Sequence, residues 1–187
     1  MTAETNGSSK PETVIRAATA DDADAVSAVG GAAFIVGHAC ALDDAHAYID
    51  KHFTPEAMRV AISAPKSVWR VAESPPGNVV AFACLSLKDA DSESYPGLAH
   101  LSSTQLVELQ RVYAHPSCHG TGVARALVEA TLETARGMGY TYAWLGVWER
   151  NPRAAAFYSK LGFRHVGEKK EWVGTDHHTD LILLAEL

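Results

Sequence analysis

Two periods of hydrophobic and polar positions run along this chain. Alternating or continuous apolar stretches, typical of strands, take turns with the three-to-four-residue spacing of amphipathic helices. Strands are predicted over 14–18, 67–73, 79–87, 106–114, 141–148, 165–173 and 180–185, and helices over 20–34, 44–51, 123–138, from 55 and from 152 to 162. This order of elements predicts an α/β fold.

Two stretches fall outside that pattern. Residues 1–12 are polar and poor in side chains that could pack, so they are predicted to form a disordered tail before one domain over 13–187. Residues 88–103 are polar, acidic and rich in turn formers. They are predicted to form a surface connection that is long enough to carry a function.

Composition narrows the class of protein. With 187 residues, 47% hydrophobic and 20% charged, the chain can bury a core without disulfides or a structural metal. The net charge of −6 argues against nucleic acid or an anionic membrane as partner and favours a cationic small molecule. Membrane-length apolar runs and signal-peptide features are missing from the sequence, so a cytoplasmic location is expected.

A glycine-containing loop, His119-Gly120-Thr121-Gly122-Val123-Ala124, lies between a predicted strand and a predicted helix. Backbone amides in such a turn point outward at the positive end of the helix dipole, where a phosphate can bind. A simple tight turn is the alternative. The glycine spacing fits neither a P-loop nor a dinucleotide-binding loop, so those nucleotide-binding classes are not expected.

Two longer segments resemble the central motifs of the GNAT acetyltransferase superfamily. They are ELQRVYAHPSCHGTGVARALVEA and, further on, WLGVWERNPRAAAFYSKLGF. The family loop reads Gln or Arg, two residues, Gly, one residue, then Gly or Ala, and here His119, Gly122 and Ala124 occupy those positions. The phrases WLGVWERN and VGTDHHTDLILL also resemble the bacterial spermidine/spermine acetyltransferase branch.

The resemblance implies a GNAT-like fold with acetyl-CoA as cosubstrate. Such a fold has a mixed, twisted sheet of about six or seven strands, flanked by helices, in which two central strands splay to form the acetyl-CoA gap. The implied cofactor-binding residues are Val112, Tyr113, Ala114, His119, Gly120, Thr121, Gly122, Val123, Ala124, Asn151 and Ala154. His119 departs from the family's Arg, and a neutral imidazole predicts weaker acetyl-CoA binding.

Two residues are candidates for proton transfer. By resemblance, Tyr158 lies near the thioester sulfur and donates a proton to the departing thiolate; packing of Phe157 and Tyr158 onto the sheet is the alternative. Glu108 is the candidate base, or else a surface or salt-bridged carboxylate. Strand alternation predicts that Glu108, Gln110 and Val112 share one side of the sheet.

The acceptor is predicted to be a small polyamine that is acetylated by direct attack. Asp43, Asp44 and Glu149 are candidate binding groups for its ammonium, and solvated helix-end charges are the alternative. Adjacent histidines such as His177 and His178 have poor metal-ligand spacing, so no metal is expected. An acetyltransferase for an antibiotic, toxin or peptide N-terminus, and a CoA sensor without turnover, stay open, as does a homodimer.

Overall fold

The computed structural model describes residues 12–37, 42–88, 95, 97–173 and 176–187, without the side chains of 171–178. Seven strands in these ranges form one sheet in the order β1-β2-β3-β4-β5-β7-β6. The predicted disordered tail falls outside the described residues, apart from Glu12. None of the described helices combines the length and apolar character needed to cross a membrane.

The observed elements follow the predicted order closely. The strands are β1 (Val14–Ala17), β2 (Ser67–Glu73), β3 (Val79–Ser86), β4 (Leu106–Ala114), β5 (Tyr142–Trp148), β6 (Arg164–Val173) and β7 (Asp176–Glu186), and the helices are α1 (Ala23–Gly37), α2 (Leu42–His52), α3 (Pro55–Ile62), α4 (Val123–Gly137) and α5 (Pro152–Ser159). Thr54 caps the start of α3 by accepting a hydrogen bond from the Ala57 amide, and Asn151 caps the start of α5 by accepting one from the Ala154 amide. β7 begins four residues earlier than the predicted strand at 180.

The sheet separates two layers of helices. On one face, Leu127 and Val128 of α4 pack with apolar residues of the central strands, and α5 joins them through Phe157. On the other face, α1 and α3 contribute Phe34 and Met58 to a second cluster. We call these the α4 face and the α1 face.

A gap opens between two neighbouring strands near the middle of the sheet. β4 and β5 run parallel and pair at only three positions, Leu106 with Tyr142, Val107 with Ala143 and Glu108 with Trp144. β5 continues to pair with β7 along its whole length, down to Trp148 with Asp180. The second half of β4 is therefore paired with β3 on one side, whereas no described pairing with β5 exists on the other.

A β-bulge lies where the gap begins. Cys84 of β3 pairs with Arg111, but the next residue, Leu85, pairs with Leu109. Gln110 is thus the extra residue on β4. One extra residue reverses which face the following side chains occupy.

The bulge corrects the predicted sidedness of β4. Leu109 and Val112 both pack in the cluster on the α4 face. The charges of Glu108 and Arg111 both act on the thiol of Cys84, a member of the α1-face cluster. Glu108 and Val112 therefore lie on opposite faces, contrary to the expectation from simple alternation, because the bulge interrupts it.

The predicted surface connection is also partly buried. Leu98 has no exposed surface and packs with Leu106 and Trp144 in a third cluster. Gly97 lies so close to the Val166 backbone that a Cβ atom there would clash. Residues 89–94 and 96 of this connection fall outside the described residues.

Candidate active site

A cavity of about 710 Å³ lies at the gap between β4 and β5. Its wall is formed by α1, α2, the second half of β4, β5, α5 and β7. The aromatic and polar residues on it are Phe34, Tyr48, Gln110, Tyr113, His119, Trp148, Arg150, Asn151, Arg153, Phe157, Tyr158 and Asp180. Among the sequence-predicted cofactor-binding residues, the wall includes Val112, Tyr113, Ala114, His119, Ala124, Asn151 and Ala154. The cavity therefore brings together segments that are far apart in the sequence.

The loop before α4 presents backbone donors beside this cavity. Gly120 and Gly122 adopt φ values of +77° and +92°, which glycine reaches at little cost. The Thr121 hydroxyl fixes the loop by donating to the Cys118 carbonyl at 2.7 Å. Within the described part of the chain, the amides of Gly120, Gly122 and Ala124 have no hydrogen-bond acceptor. Unpaired amides at the start of a 15-residue helix suit a phosphate or pyrophosphate.

Three basic side chains lie on the cavity wall, His119 on the loop and Arg150 and Arg153 beside α5. Partial burial lowers the pKa of His119, and the nearby charge of Arg153 lowers it further. His119 is thus neutral at pH 7, and the arginines supply the positive charge. Neither arginine was predicted as a binding residue from the sequence, although both lie inside the second motif.

Tyr158 reaches the cavity from α5. Its ring makes edge-to-face contacts with Phe157 and Phe163, at centroid distances of 5.1 and 5.6 Å. Burial raises the pKa of the Tyr158 hydroxyl above its ordinary value, so it stays protonated at neutral pH. The packing role and the proton-donor role considered for this residue are therefore compatible in one position.

Glu108 lies at the point where β4 and β5 separate, with Trp144 as its register partner. Burial raises the pKa of its carboxyl, opposed by the charges of Lys169 and Lys88 and by a hydrogen bond with Ser86. A raised pKa suits a group that accepts a proton near neutral pH. Glu108 is not among the described residues that line the cavity.

Aromatic side chains dominate the cavity on the α1 face. The rings of Phe34 and Tyr48 stack with centroids 4.5 Å apart and planes within 5°. Tyr113 meets Phe53 edge to face at 5.1 Å, and burial raises the pKa of its hydroxyl. Asp180 of β7 is the only carboxylate among the described residues of the cavity wall.

The predicted acceptor-binding acids lie elsewhere. Asp43 and Asp44 are in the first turn of α2, and Glu149 follows β5 with an oxygen 3.9 Å from the Arg150 Nε. All three are absent from the described cavity wall. Asp43 and Glu149 are exposed and Asp44 is half-buried, and a role in acceptor binding stays a prediction for all three.

A reactive cysteine and a metal site have less support from the structure. Cys118 is buried and burial raises the pKa of its thiol, which disfavours a reactive thiolate. The described residues contain no group of three or more His, Cys, Asp or Glu side chains that could hold a metal ion. The side chains of His177 and His178 fall outside the description.

Comparison with known proteins places the chain among acetyltransferases. Residues 40–163 match the model of the acetyltransferase (GNAT) family. An uncharacterized N-acetyltransferase of Mycobacterium tuberculosis is 42% identical over 81 residues, which is 43% of this chain and 52% of the relative. The chain thus spans about half the length of this curated relative. An uncharacterized N-acetyltransferase of Lactobacillus delbrueckii is 26% identical over 145 residues, 78% of this chain and 79% of the relative.

Solved structures show the same fold. The PaiA N-acetyltransferase of Thermoplasma acidophilum, solved in complex with coenzyme A, superposes with a TM-score of 0.73. The superposition covers 94% of this chain and 99% of that chain at 15% sequence identity. The predicted GNAT-like fold, with its mixed sheet and flanking helices, is confirmed.

Proposed function

Because the chain belongs to the GNAT acetyltransferase family, we propose that it transfers an acetyl group from acetyl-CoA directly to a primary amine, with a small polyamine as acceptor. One observation carries the proposal. The first turn of α4 with the unpaired Ala124 amide, the capped start of α5 and the protonated Tyr158 all border the cavity where β4 and β5 separate. The donor end, the proton donor and space for an acceptor thus meet at one place.

The residues of the α4 face fit acetyl-CoA as cosubstrate. The pyrophosphate would bind the amides of the 119–124 loop, and the pantetheine arm would lie along the unpaired side of Val112–Ala114. Arg150 and Arg153 would offset the phosphate charge that the neutral His119 leaves uncompensated. The chemistry that acetyl-CoA supplies is an activated acetyl thioester.

The acceptor nitrogen must lose a proton before it attacks. An aliphatic ammonium has a pKa near 10.4, so the neutral amine costs about 4.6 kcal/mol at pH 7. Glu108, with its raised pKa, takes up that proton, either directly or through a water, while the bond between nitrogen and the acetyl carbon forms. The bulge at Gln110 puts Glu108 on the α1 face, away from the cofactor side.

The departing thiolate needs a proton in return. Tyr158 donates it from the α4 face, where its hydroxyl remains protonated because burial disfavours the phenolate. The resulting Tyr158 phenolate regains a proton from solvent and protonated Glu108 returns one, so both groups are restored for the next turnover. The products are an N-acetyl amine and CoA thiol, and no covalent enzyme intermediate is involved.

The polyamine assignment rests on two features. The chain carries a net charge of −6, which attracts a polycation, and its motifs resemble the spermidine/spermine branch. An amine-bearing antibiotic, toxin or peptide N-terminus would require the same chemistry, and only substrate specificity separates them. A CoA sensor without turnover is the alternative from another class.

The test is release of CoA thiol from acetyl-CoA in a panel of polyamines, amino acids, aminoglycosides and short peptides. We expect polyamine-dependent release and, for Tyr158→Phe, a loss of about 100-fold or more in kcat, typical of removing a general acid. Tyr140→Phe, a tyrosine after α4 that is not on the described cavity wall, is the matched control. Thermal unfolding checks that both variants are folded.

Other outcomes would contradict parts of the proposal. Release with a different amine contradicts the polyamine and keeps the reaction. Unchanged turnover in Tyr158→Phe contradicts the proton-donor role. No release with any amine, together with an acetyl-CoA-dependent rise in melting temperature, supports the sensor.

A further inference from the structure

Charge is unequally distributed along the cavity wall. The two arginines, Arg150 and Arg153, lie around the start of α5, and the neutral His119 lies on the loop before α4. The only described carboxylate of the wall, Asp180, lies on β7. Since the phosphates of acetyl-CoA would bind at the basic end, Asp180 is the group of this wall that suits a cation.

The Asp180 carboxylate occupies a space that a glycine creates. Gly146 is exposed within a strand whose neighbouring residues, Leu145 and Val147, are buried. A Cβ atom at Gly146 would lie 3.3 Å from the Asp180 Oδ2. The carboxylate is therefore beside the bare backbone of β5, just beyond the last pairing of β4 with β5.

Asp180 lies on the α1 face of the gap. It is the register partner of Trp148, and Gly146 and Trp148 alternate with Leu145 and Val147, which pack on the α4 face. The charge of Asp180 acts on the Tyr113 hydroxyl, whereas burial alone accounts for the raised pKa of Tyr158. Tyr113 packs in the α1-face cluster and Tyr158 on the α4 face, so Asp180 shares a face with Tyr113.

This separation matters for the acceptor. The attacking nitrogen must reach the thioester beside Tyr158, so a cation bound by Asp180 is a different atom of the acceptor. We propose that Asp180 binds a second ammonium of the acceptor, on the α1 face of the gap, and thereby selects diamines and polyamines over monoamines. The inference rests on the proposed acetyl transfer and names a residue that determines its specificity.

The surroundings of Asp180 support a cation. Phe34, Tyr48 and Tyr113 line the same side of the cavity, and the faces of aromatic rings attract ammonium groups. Lys169 is the register partner of Asp180 on β6, and its Nζ lies 5.7 Å from the centre of the Tyr95 ring. The Lys169 ammonium thus lies over a ring that is not on the described cavity wall.

The experiment compares acceptors that differ by one ammonium. The kinetics of 1,4-diaminobutane, spermidine and 1-aminobutane are measured with the full-length protein and with Asp180→Asn. We expect kcat/KM for the two polyamines to fall about 10- to 100-fold, mainly through KM, as for loss of a charge-assisted hydrogen bond. For 1-aminobutane it stays within about twofold, because that amine has no second ammonium.

Two further variants separate this effect from a loss of fold. Glu168→Gln removes an exposed carboxylate of β6 whose register partner, Leu181, packs on the α4 face. The kcat/KM values for all three acceptors should stay unchanged. Gly146→Ala keeps the carboxylate but crowds its Oδ2. It should lower kcat/KM for the polyamines, by less than Asp180→Asn does. Equal losses for polyamine and monoamine, or no loss for either, overturn the inference.

Failure of the proposed transfer gives a different result. If the wild type acetylates none of these amines, binding of 1,4-diaminobutane to the CoA-saturated protein is measured by calorimetry. Binding that Asp180→Asn weakens supports the second-ammonium site and contradicts only the transfer. Binding that is absent, or equal in both proteins, overturns the site.

Discussion

On the α4 face of the cavity the unpaired donors are backbone amides, and on the α1 face the polar groups are side chains. The first set consists of Gly120, Gly122 and Ala124 before a helix. The second consists of the Tyr48 and Tyr113 hydroxyls with Asp180, and Glu108 is on the same face, where β4 and β5 separate. Backbone groups are retained whatever the side chain, whereas side chains differ from one protein to the next. The donor side is thus expected to serve one ligand throughout the family, and the acceptor side to set specificity.

The largest predicted effect tests the side chains of the α1 face. Glu108→Gln should lower kcat about 100-fold or more, because the base is lost, while the Kd for acetyl-CoA stays unchanged. In the wild type, activity should fall as pH drops through the raised pKa of Glu108, because the protonated acid cannot accept the ammonium proton. The variant should lack that acidic limb.

The pH profile of kcat/KM decides between a base and a bystander. Glu133→Gln, at an exposed position on α4, is the control and should keep both the rate and the limb. A variant at position 108 that retains the wild-type acidic limb would show that another group takes the proton.

A smaller effect is expected from a change in the backbone of the loop before α4. Gly122→Ala forces an L side chain into φ of +92°, which costs roughly 1–2 kcal/mol. The loop amides then move away from their binding geometry, and the Kd for acetyl-CoA should rise about 5- to 30-fold with kcat at saturation preserved. Isothermal titration of both wild type and variant measures this.

Gly137→Ala is the matched control for that change. Gly137 ends α4 without a positive φ, and a Cβ atom there meets nothing within 4 Å. It should leave acetyl-CoA binding unchanged. If Gly122→Ala lowers kcat but not the affinity for acetyl-CoA, the loop takes part in the chemical step. The assignment of the α4 face to acetyl-CoA binding alone would then be wrong.

The smallest effect comes from adding a side-chain charge to the loop before α4. His119→Arg should tighten acetyl-CoA binding about two- to fivefold, as for an exposed ion pair. The gain is limited because Arg153 already lies near this position and repels a second guanidinium. Unchanged or weaker binding in the titration would contradict the expectation that a neutral His119 weakens acetyl-CoA binding.

The local pattern of the sequence was sufficient for most elements. β4 was predicted with its observed bounds, 106–114, because His115-Pro116 ends the alternating pattern. The α4 start at Val123 followed from the glycines before it. These features depend on residues that are adjacent in the chain, so the sequence alone is sufficient to predict them.

Features that depend on tertiary structure were missed. Gln110 is an ordinary residue in an alternating run, and only the pairing of β3 with β4 shows that it is extra. Asp180 belongs to no motif and reaches the cavity because β7 inserts between β5 and β6. Asp43, Asp44 and Glu149 stay predicted acceptor-binding groups, although none of them is on the described cavity wall.

The separation of β4 from β5 has a consequence for handling the protein. An open sheet has two edges, and the gap gives this one two more, since 109–114 lacks a described strand partner on the β5 side. Exposed strand edges recruit other strands and promote aggregation. Pantetheine lying along Val112–Ala114 would cover this inner edge. Preparations saturated with CoA should therefore resist aggregation at high concentration better than preparations stripped of it.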